Sequence, residues 1–321
     1  MAEYVVGIDL GGTNMQVGVL RRDGEIVGRA HTMTRAEGGP DEVIVRMVGQ
    51  VREVCDEVGV PLRELGAVGI GAPGAIDATS QVVTNAPNLG WKRVPLGERL
   101  GSSLGGVPVV LDNDVNAAVL GENRRGAGDN APHALGVWVG TGVGGGLVLN
   151  GKVYRGGLGT AGEIGHTVIF PDAPPDDSHM EYHCSRKRVT PKILALLDQG
   201  QASVLLEPYR RDPDAVTLQM MAEAYAAGDD LVGEVIDRAA DLLGLTIGNV
   251  VTLLSMPLIL LGGGLTEAMG EKYVRRVESA TRANVFPPAI AEKVEVRGTQ
   301  LGPDAGLIGA GMLAWDRVDG G

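Results

Sequence analysis

Two cysteines, Cys55 and Cys184, are all that the 321 residues contain, and they lie far apart. That excludes a disulfide framework and fits a reducing compartment, so a cytoplasmic protein is expected. Aromatic residues make up only 3%, too few for a surface that works by stacking bases or sugar rings. Cations are short as well: 28 Lys and Arg against 40 Asp and Glu leave a formal charge of −12. Such a chain repels nucleic acid and anionic membrane, so neither is an expected partner. No apolar run is long enough to span a bilayer. MAEYVVGIDL enters a strand at once, so neither a signal peptide nor a transit peptide is expected. The phosphate-loop pattern G-x-x-x-x-G-K-[ST] is missing too.

What abounds is glycine, with 50 residues in clusters rather than in a repeat. The length is enough for two domains with cores of their own. Tyr4–Asp9, Met15–Leu20 and Glu25–Met33 read as a three-stranded meander. A helix over Glu42–Val58, a buried strand Ala67–Gly71, a short helix Leu96–Leu104, a strand Pro108–Leu111 and a helix from Val115 follow. After Gly128 the meander repeats as Ala134–Val139, Leu147–Asn150 and Lys152–Arg155, with Asn150–Gly151 as a hairpin turn. Helices over Arg188–Asp198, Thr217–Ala227 and Leu231–Thr252, a buried strand Leu258–Leu261 and a closing helix Ala305–Trp315 complete the chain. Two such layouts imply two related α/β domains facing a central cleft. The expected boundaries are 1–113 with a C-terminal helix at about 303–321, and 114–302. Ligands of open α/β sheets sit beyond the carboxyl ends of the strands, where every glycine cluster falls.

Two loops there suit phosphate, because exposed backbone N–H groups bind its oxygens: DLGGTN (Asp9, Gly11, Gly12, Thr13, Asn14) and GTGVGGG (Gly140, Thr141, Gly142 and on to Gly146). In a third, LGGGL (Gly262, Gly263, Gly264), glycine would let the adenosine of a nucleotide lie against backbone. Asp9 suits a water of hydrated Mg²⁺. Gly140, Gly142 and Gly145 also fit G-x-G-x-x-G, but that dinucleotide fingerprint needs a helix next, and LVLNGKVYRG reads as a hairpin. Asp112, Asn113, Asp114 and Asn116 crowd the junction between a strand and a helix. A cap on the helix from Val115 explains Asp114 alone, but not Asn113 and Asn116 as well. Asp112 reads as strand-end packing or support for its neighbours, Cys55 and the tryptophans as packing residues.

DLGGTN, GAPG at 71–74, NAPNLGW at 85–91, LDNDVNAA at 111–118 and VGTGVGGGLVLNGKVYRGGLGTAGEIGH at 139–166 resemble the ROK family of repressors, open reading frames and sugar kinases. The resemblance implies the actin-like, hexokinase-like fold of two RNase-H-like domains. It implies Asp114 as catalytic base. It also implies Gly74, Asn88, Asn113, Glu163 and His166 around a sugar, and the first two glycine loops around the phosphates of ATP with Mg²⁺. The family commonly forms dimers or tetramers, so a homodimer or homotetramer is expected.

The chain departs from the family after GEIGH, where members carry three zinc-binding cysteines and a sugar-contacting Glu. Here the stretch is TVIFPDAPPDDSHMEYHCS. Glu181 takes the place of that Glu. Zinc is expected to be absent. A fallback ligand set would be His166, His179, His183 and Cys184, with His179 and His183 on one face if the stretch is helical. The expected activity is ATP-dependent phosphorylation of a hexose, glucose first, with N-acetylmannosamine, N-acetylglucosamine, fructose or allose as alternatives. A non-catalytic sugar sensor is the reading from another class. A DNA-binding repressor is not expected, since the first glycine loop starts at Asp9. Polyphosphate is a poorer donor candidate than ATP, because basic clusters such as Arg124–Arg125 and Arg186–Arg188 are scattered.

Overall fold

A computed structural model describes residues 2–320. The chain divides into two compact units, Met1–Pro132 with Gly146–Ala161 and Gln300–Gly321, and His133–Gly145 with Gly162–Thr299.

The first unit opens with β1 (Tyr4–Leu10) and β2 (Asn14–Leu20), buried on both faces, and β3 (Ile26–Met33), whose alternating exposure is that of an edge strand. Helix α1 (Gly39–Glu57) has Pro at its start. It buries Val43, Ile44, Met47, Val51, Val54 and Cys55, one stripe at helical spacing. Each such side chain is worth about 1.5–3 kcal/mol of burial. Strand β4 (Leu65–Ala72) is followed by β5 (Ala75–Asp77), β6 (Val82–Ala86), β7 (Trp91–Val94), α2 (Leu96–Ser103), β8 (Val109–Asn113) and α3 (Asp114–Arg125). The main sheet is ordered β3-β2-β1-β4-β8. Its outer meander is antiparallel, and β4 and β8 run parallel to β1. The small sheet β5-β6-β7 was not expected.

Next come β9 (His133–Val139), β10 (Val143–Leu149), β11 (Lys152–Tyr154) and the one-turn helices α4 (Pro175–Ser178) and α5 (Glu181–Cys184). Then follow α6 (Arg186–Asp198), α7 (Leu206–Arg211), α8 (Leu218–Ala227), α9 (Asp230–Leu254), β12 (Leu258–Gly262), α10 (Gly264–Ala283), β13 (Glu295–Gly298) and α11 (Ala305–Gly320). The second sheet is ordered β11-β10-β9-β12-β13. It repeats the first strand for strand, again with the last two strands parallel to the central one. Strand β10 begins at Val143, so the loop is confined to Gly140–Gly142 and does not extend to Gly146 as expected.

The first boundary falls after Pro132 rather than after Asn113, so α3 belongs with the first unit. The reason is its packing on α11. A methyl on Gly121 would strike the Ala305 carbonyl, and one on Gly309 the Ala117 carbonyl, so the two helix backbones touch. Glu122, fully buried, fastens the C-terminal end of α3. Its carboxylate accepts from the backbone N–H of Ala127 (3.0 Å), Gln300 (2.9 Å) and Leu301 (2.6 Å). No helix among the described residues is long and apolar enough to cross a membrane.

Candidate active site

In the first unit the expected residues gather at the carboxyl ends of β1, β4 and β8. The DLGGTN turn closes with the Gly11 N–H on the Asn14 carbonyl (2.9 Å). Thr34 ties it down, its hydroxyl donating to Gly11 O and its N–H to Thr13 O, both at 2.7 Å. Thr13 and Asn14 point outward and are exposed. A methyl on Gly12 would come within 3.3 Å of Asn88 Cβ, so the glycine loop and the exposed Asn88 turn are adjacent. Asp9 pairs with Gln16 and Gly71 across the sheet, and Gly306 of α11 leaves room for its carboxylate. Burial first, and then the charge of Asp114, push the Asp9 carboxyl up to about 6. Two carboxylates that hinder each other's ionisation are relieved by a cation, so this pair fits a hydrated Mg²⁺.

The DNDVN junction divides its labour among neighbours. Asn113, not Asp114, is the N-cap of α3: its side-chain oxygen accepts from Val115 N (2.9 Å) and Asn116 N (3.2 Å). Its amide nitrogen donates to the Gly74 carbonyl at 3.1 Å. Gly74 is left-handed at φ +90°, packed so tightly on Asn85 that a side chain has no place. Asp112, 2% exposed, is saturated. One of its oxygens accepts from Asn113 N (2.8 Å) and Asn116 Nδ2 (2.9 Å). The other accepts from Arg155 Nε (2.7 Å) and Nη2 (2.5 Å). Asp112 therefore supports its neighbours, as one of the two sequence readings has it. Arg155 was not singled out from the sequence, because a pair 43 residues apart leaves no local pattern. Asp114, at the first position of α3, needs neither job.

In the second unit a different cluster forms. Gly140–Gly142 follow β9, and the Gly140 N–H closes the turn on Gly142 O at 2.8 Å. Arg186, the first residue of α6, donates its backbone N–H to Gly140 O (2.9 Å) and its guanidinium to Thr141 Oγ1 (3.1 Å). The Glu181 carboxylate accepts from Val143 N at 2.7 Å and lies against Gly142 so closely that a methyl there would meet it at 2.5 Å. Glu163 and His166 flank the short turn Ile164–His166, and both are exposed. A methyl on Gly165 would strike the Val143 carbonyl and come within 3.5 Å of Glu181 Cβ, so this turn packs on both. The structure thus joins Gly140–Val143, Glu163–His166 and Glu181. Of the third loop, Gly262 is packed by Thr299 and Trp138, Gly263 adopts φ +89° against Val139, and Gly264 opens α10 with nothing over it.

The cysteine-poor stretch closes on itself. Val168 pairs with His179, and the N–H of Ile169 (2.8 Å) and of Met180 (2.9 Å) bond to Ser178 O and Thr167 O. His179 precedes α5 instead of sharing a helix face with His183. Its ring stands edge-on to His166 at 5.9 Å. His183 turns away, to Asp177 O at 2.7 Å and the Phe170 ring at 4.8 Å. Cys184 is buried, with its thiol on Ala239 O at 3.2 Å and pushed by burial up to about 12. The fallback zinc set is therefore dispersed, and no three His, Cys, Asp or Glu among the described residues converge to hold a metal ion.

Residues 5–317 match the profile of the ROK family. A glucokinase of Halalkalibacterium halodurans is 32% identical over 323 residues, 97% of this chain and 94% of that protein. A glucokinase of Thermotoga maritima is 31% identical over 98% of each chain. Among solved structures, a ROK family glucokinase from Streptomyces griseus in complex with glucose and AMPPNP superposes with a TM-score of 0.80 at 28% identity. It covers 98% of this chain and 99% of its own.

Proposed function

We propose a function from the premise that this chain belongs to the ROK family: it transfers the γ-phosphoryl group of ATP to a hexose hydroxyl, with glucose the leading acceptor. The observation that carries this reading is the pair of carboxylates at the ends of β1 and β8, on either side of β4, Asp9 and Asp114, beside a glycine turn. Glucokinases as relatives over nearly the full length support glucose.

Asp114 is the base. It takes the proton of the sugar hydroxyl while that oxygen forms its bond to the γ-phosphorus and the bond to the β-phosphate oxygen breaks, releasing ADP. Asp112 and Arg155 keep Asp114 in place, because they fix residue 113 before it and Asn116 after it. Asn113 carries the cap, and Asp114 shares with it only the Val115 N–H, at 2.9 Å. Asn88, Asn113, Gly74, Glu163, His166 and Glu181 are assigned to the sugar, where fixing one oxygen in line contributes about 7–11 kcal/mol. The loops at Gly11–Asn14 and Gly140–Gly142 are assigned to the phosphates of the nucleotide, which they meet with backbone N–H groups, and Gly262–Gly264 to its adenosine. When bound, Mg²⁺ neutralises charge on the transferring phosphoryl group, and Asp9 is the residue that would hold one of its waters.

The test is release of ADP with ATP and Mg²⁺ over glucose, fructose, mannose, allose, N-acetylglucosamine and N-acetylmannosamine. Turnover on glucose well above the others is expected. Preference for an acetylated sugar moves the assignment within the family, and turnover on none replaces the kinase reading with a sugar sensor.

A further inference from the structure

A cavity of about 290 Å³ in the second unit is lined by none of the residues assigned to sugar or nucleotide. Its walls are α6 and α9, and it is closed by Phe170 and by Tyr182 and His183 of α5. Arg188 and Lys192 stand one turn apart on α6 and Arg238 faces them from α9, over an apolar floor from both helices. No Asp or Glu lines it among the described residues.

Three cations around one small cavity are unusual in a chain of charge −12. Neighbouring arginines are neutralised: Arg276 pairs with Asp241 at 2.6 Å and Arg282 with Glu278 at 3.0 Å. The acids on either side of Arg238 are engaged elsewhere, Asp241 with Arg276 and Asp237 with the Tyr225 hydroxyl at 2.7 Å. Arg188, Lys192 and Arg238 form no ion pair among the described residues. Arg188 lies flat over the Tyr182 ring at 3.8 Å, which orients its planar fork of N–H donors. Concentrated positive charge with apolar surface beneath suits a doubly charged phosphate on a small organic body. The volume excludes a polymer.

The walls of the cavity also hold the second glycine loop. Arg186 opens α6 and bonds to Gly140 and Thr141, and Glu181 opens α5 and bonds to Val143. We propose that this cavity is a second, non-catalytic site for a phosphate group, free or borne by a small phosphomonoester, and that its occupancy acts on the Gly140–Val143 loop through α5 and α6. Only the second clause rests on the kinase reading.

The test is calorimetric titration of the full chain with inorganic phosphate and with glycerol 3-phosphate, using the native protein, Arg238→Gln and Lys192→Gln. These side chains are exposed, so the substitutions leave the fold intact. Binding to the native protein and an affinity at least about tenfold weaker in each variant is expected, about 1.4 kcal/mol. Tighter binding of glycerol 3-phosphate identifies a phosphomonoester, and equal binding identifies free phosphate. Failure to bind, or equal binding to all three proteins, overturns the site. Calorimetry needs no turnover, so this result stands whether or not the chain is a kinase. For the coupling, phosphate is expected to change the KM for ATP in the native enzyme differently from Arg238→Gln. An identical change in both proteins overturns it.

Discussion

The two five-stranded sheets share one strand order and one pattern of parallel and antiparallel pairs, yet their carboxyl ends carry different chemistry. In the first sheet, β1 and β8 end in carboxylates: Asp9, Asp112 and Asp114. In the second, β9 and β12 end in glycine, and acid arrives from outside the sheet, as Glu181 of α5. The first end is built around Asp112, whose two oxygens are saturated by Asn113, Asn116 and Arg155. The second is a glycine turn propped by one carboxylate and one arginine.

The largest blow to this contrast is Asp114→Asn. It is expected to lower kcat by at least about a hundredfold and to leave the sugar KM within about threefold. The melting temperature is expected to hold, because Asn113 supplies the cap. A variant with near-native turnover, measured by ADP release, overturns the assignment of the base.

Arg155→Met comes next, since it strands the Asp112 carboxylate. The expected loss is about 3 kcal/mol in urea unfolding, the low end for breaking a buried pair, because 36% of the Arg155 side chain stays in solvent. Turnover is expected to fall about tenfold. Arg155→Lys keeps the charge but not the two-pronged bond, and is expected to recover stability more than turnover. Equal recovery of both reduces Arg155 to a purely structural part.

Glu181→Ala probes the second end. Removing the acceptor of Val143 N is expected to raise the KM for ATP or sugar about tenfold, with little effect on kcat. Glu181→Gln keeps an acceptor and is expected to recover part of that loss. If kcat falls instead while both KM values hold, the prop does more than shape the loop.

The smallest effect is one of pH. The Asp9 carboxyl is raised, so its folded form holds a proton more tightly than the unfolded chain does. This group therefore favours folding fully below its ordinary value of 3.8, and the benefit is lost as pH rises toward about 6. Cation binding has the opposite sense. Affinity for Mg²⁺ with ATP is expected to weaken as pH falls through about 6 and Asp9 takes up a proton. Asp114→Asn removes the like charge, and in Mg²⁺ titrations it is expected to move that limb to lower pH. An unmoved limb assigns it to another group.

Much of this was legible in the residues. Apolar runs mark β1 and β2, and Asn150–Gly151, both left-handed, makes the hairpin its dipeptide predicts. The start of α3 was legible to within a residue. The parts that escaped depend on distant partners. Helix α10 opens on Gly264 directly after Gly262 and Gly263 and is broken at Gly270, so its pattern is diluted. EVRG becomes β13 only by lying beside β12. Asp112 announced a polar junction, but only the fold brings Arg155 to it. His179 and His183 have helical spacing, and a strand-like bridge at His179 defeats it.

The close fit of α11 carries a consequence in time. Its backbone rests on Gly7 of β1 and Gly69 of β4, and its Ile308, Met312, Leu313 and Trp315 complete a core with Val5, Leu20 and Ala67. On the ribosome, about 190 residues separate the end of β8 from the start of α11, some 10–40 s of synthesis. Throughout that interval one face of the first sheet waits uncovered. The part of the molecule made first is therefore finished last, and a stalled or truncated chain exposes the face that α11 would have sealed.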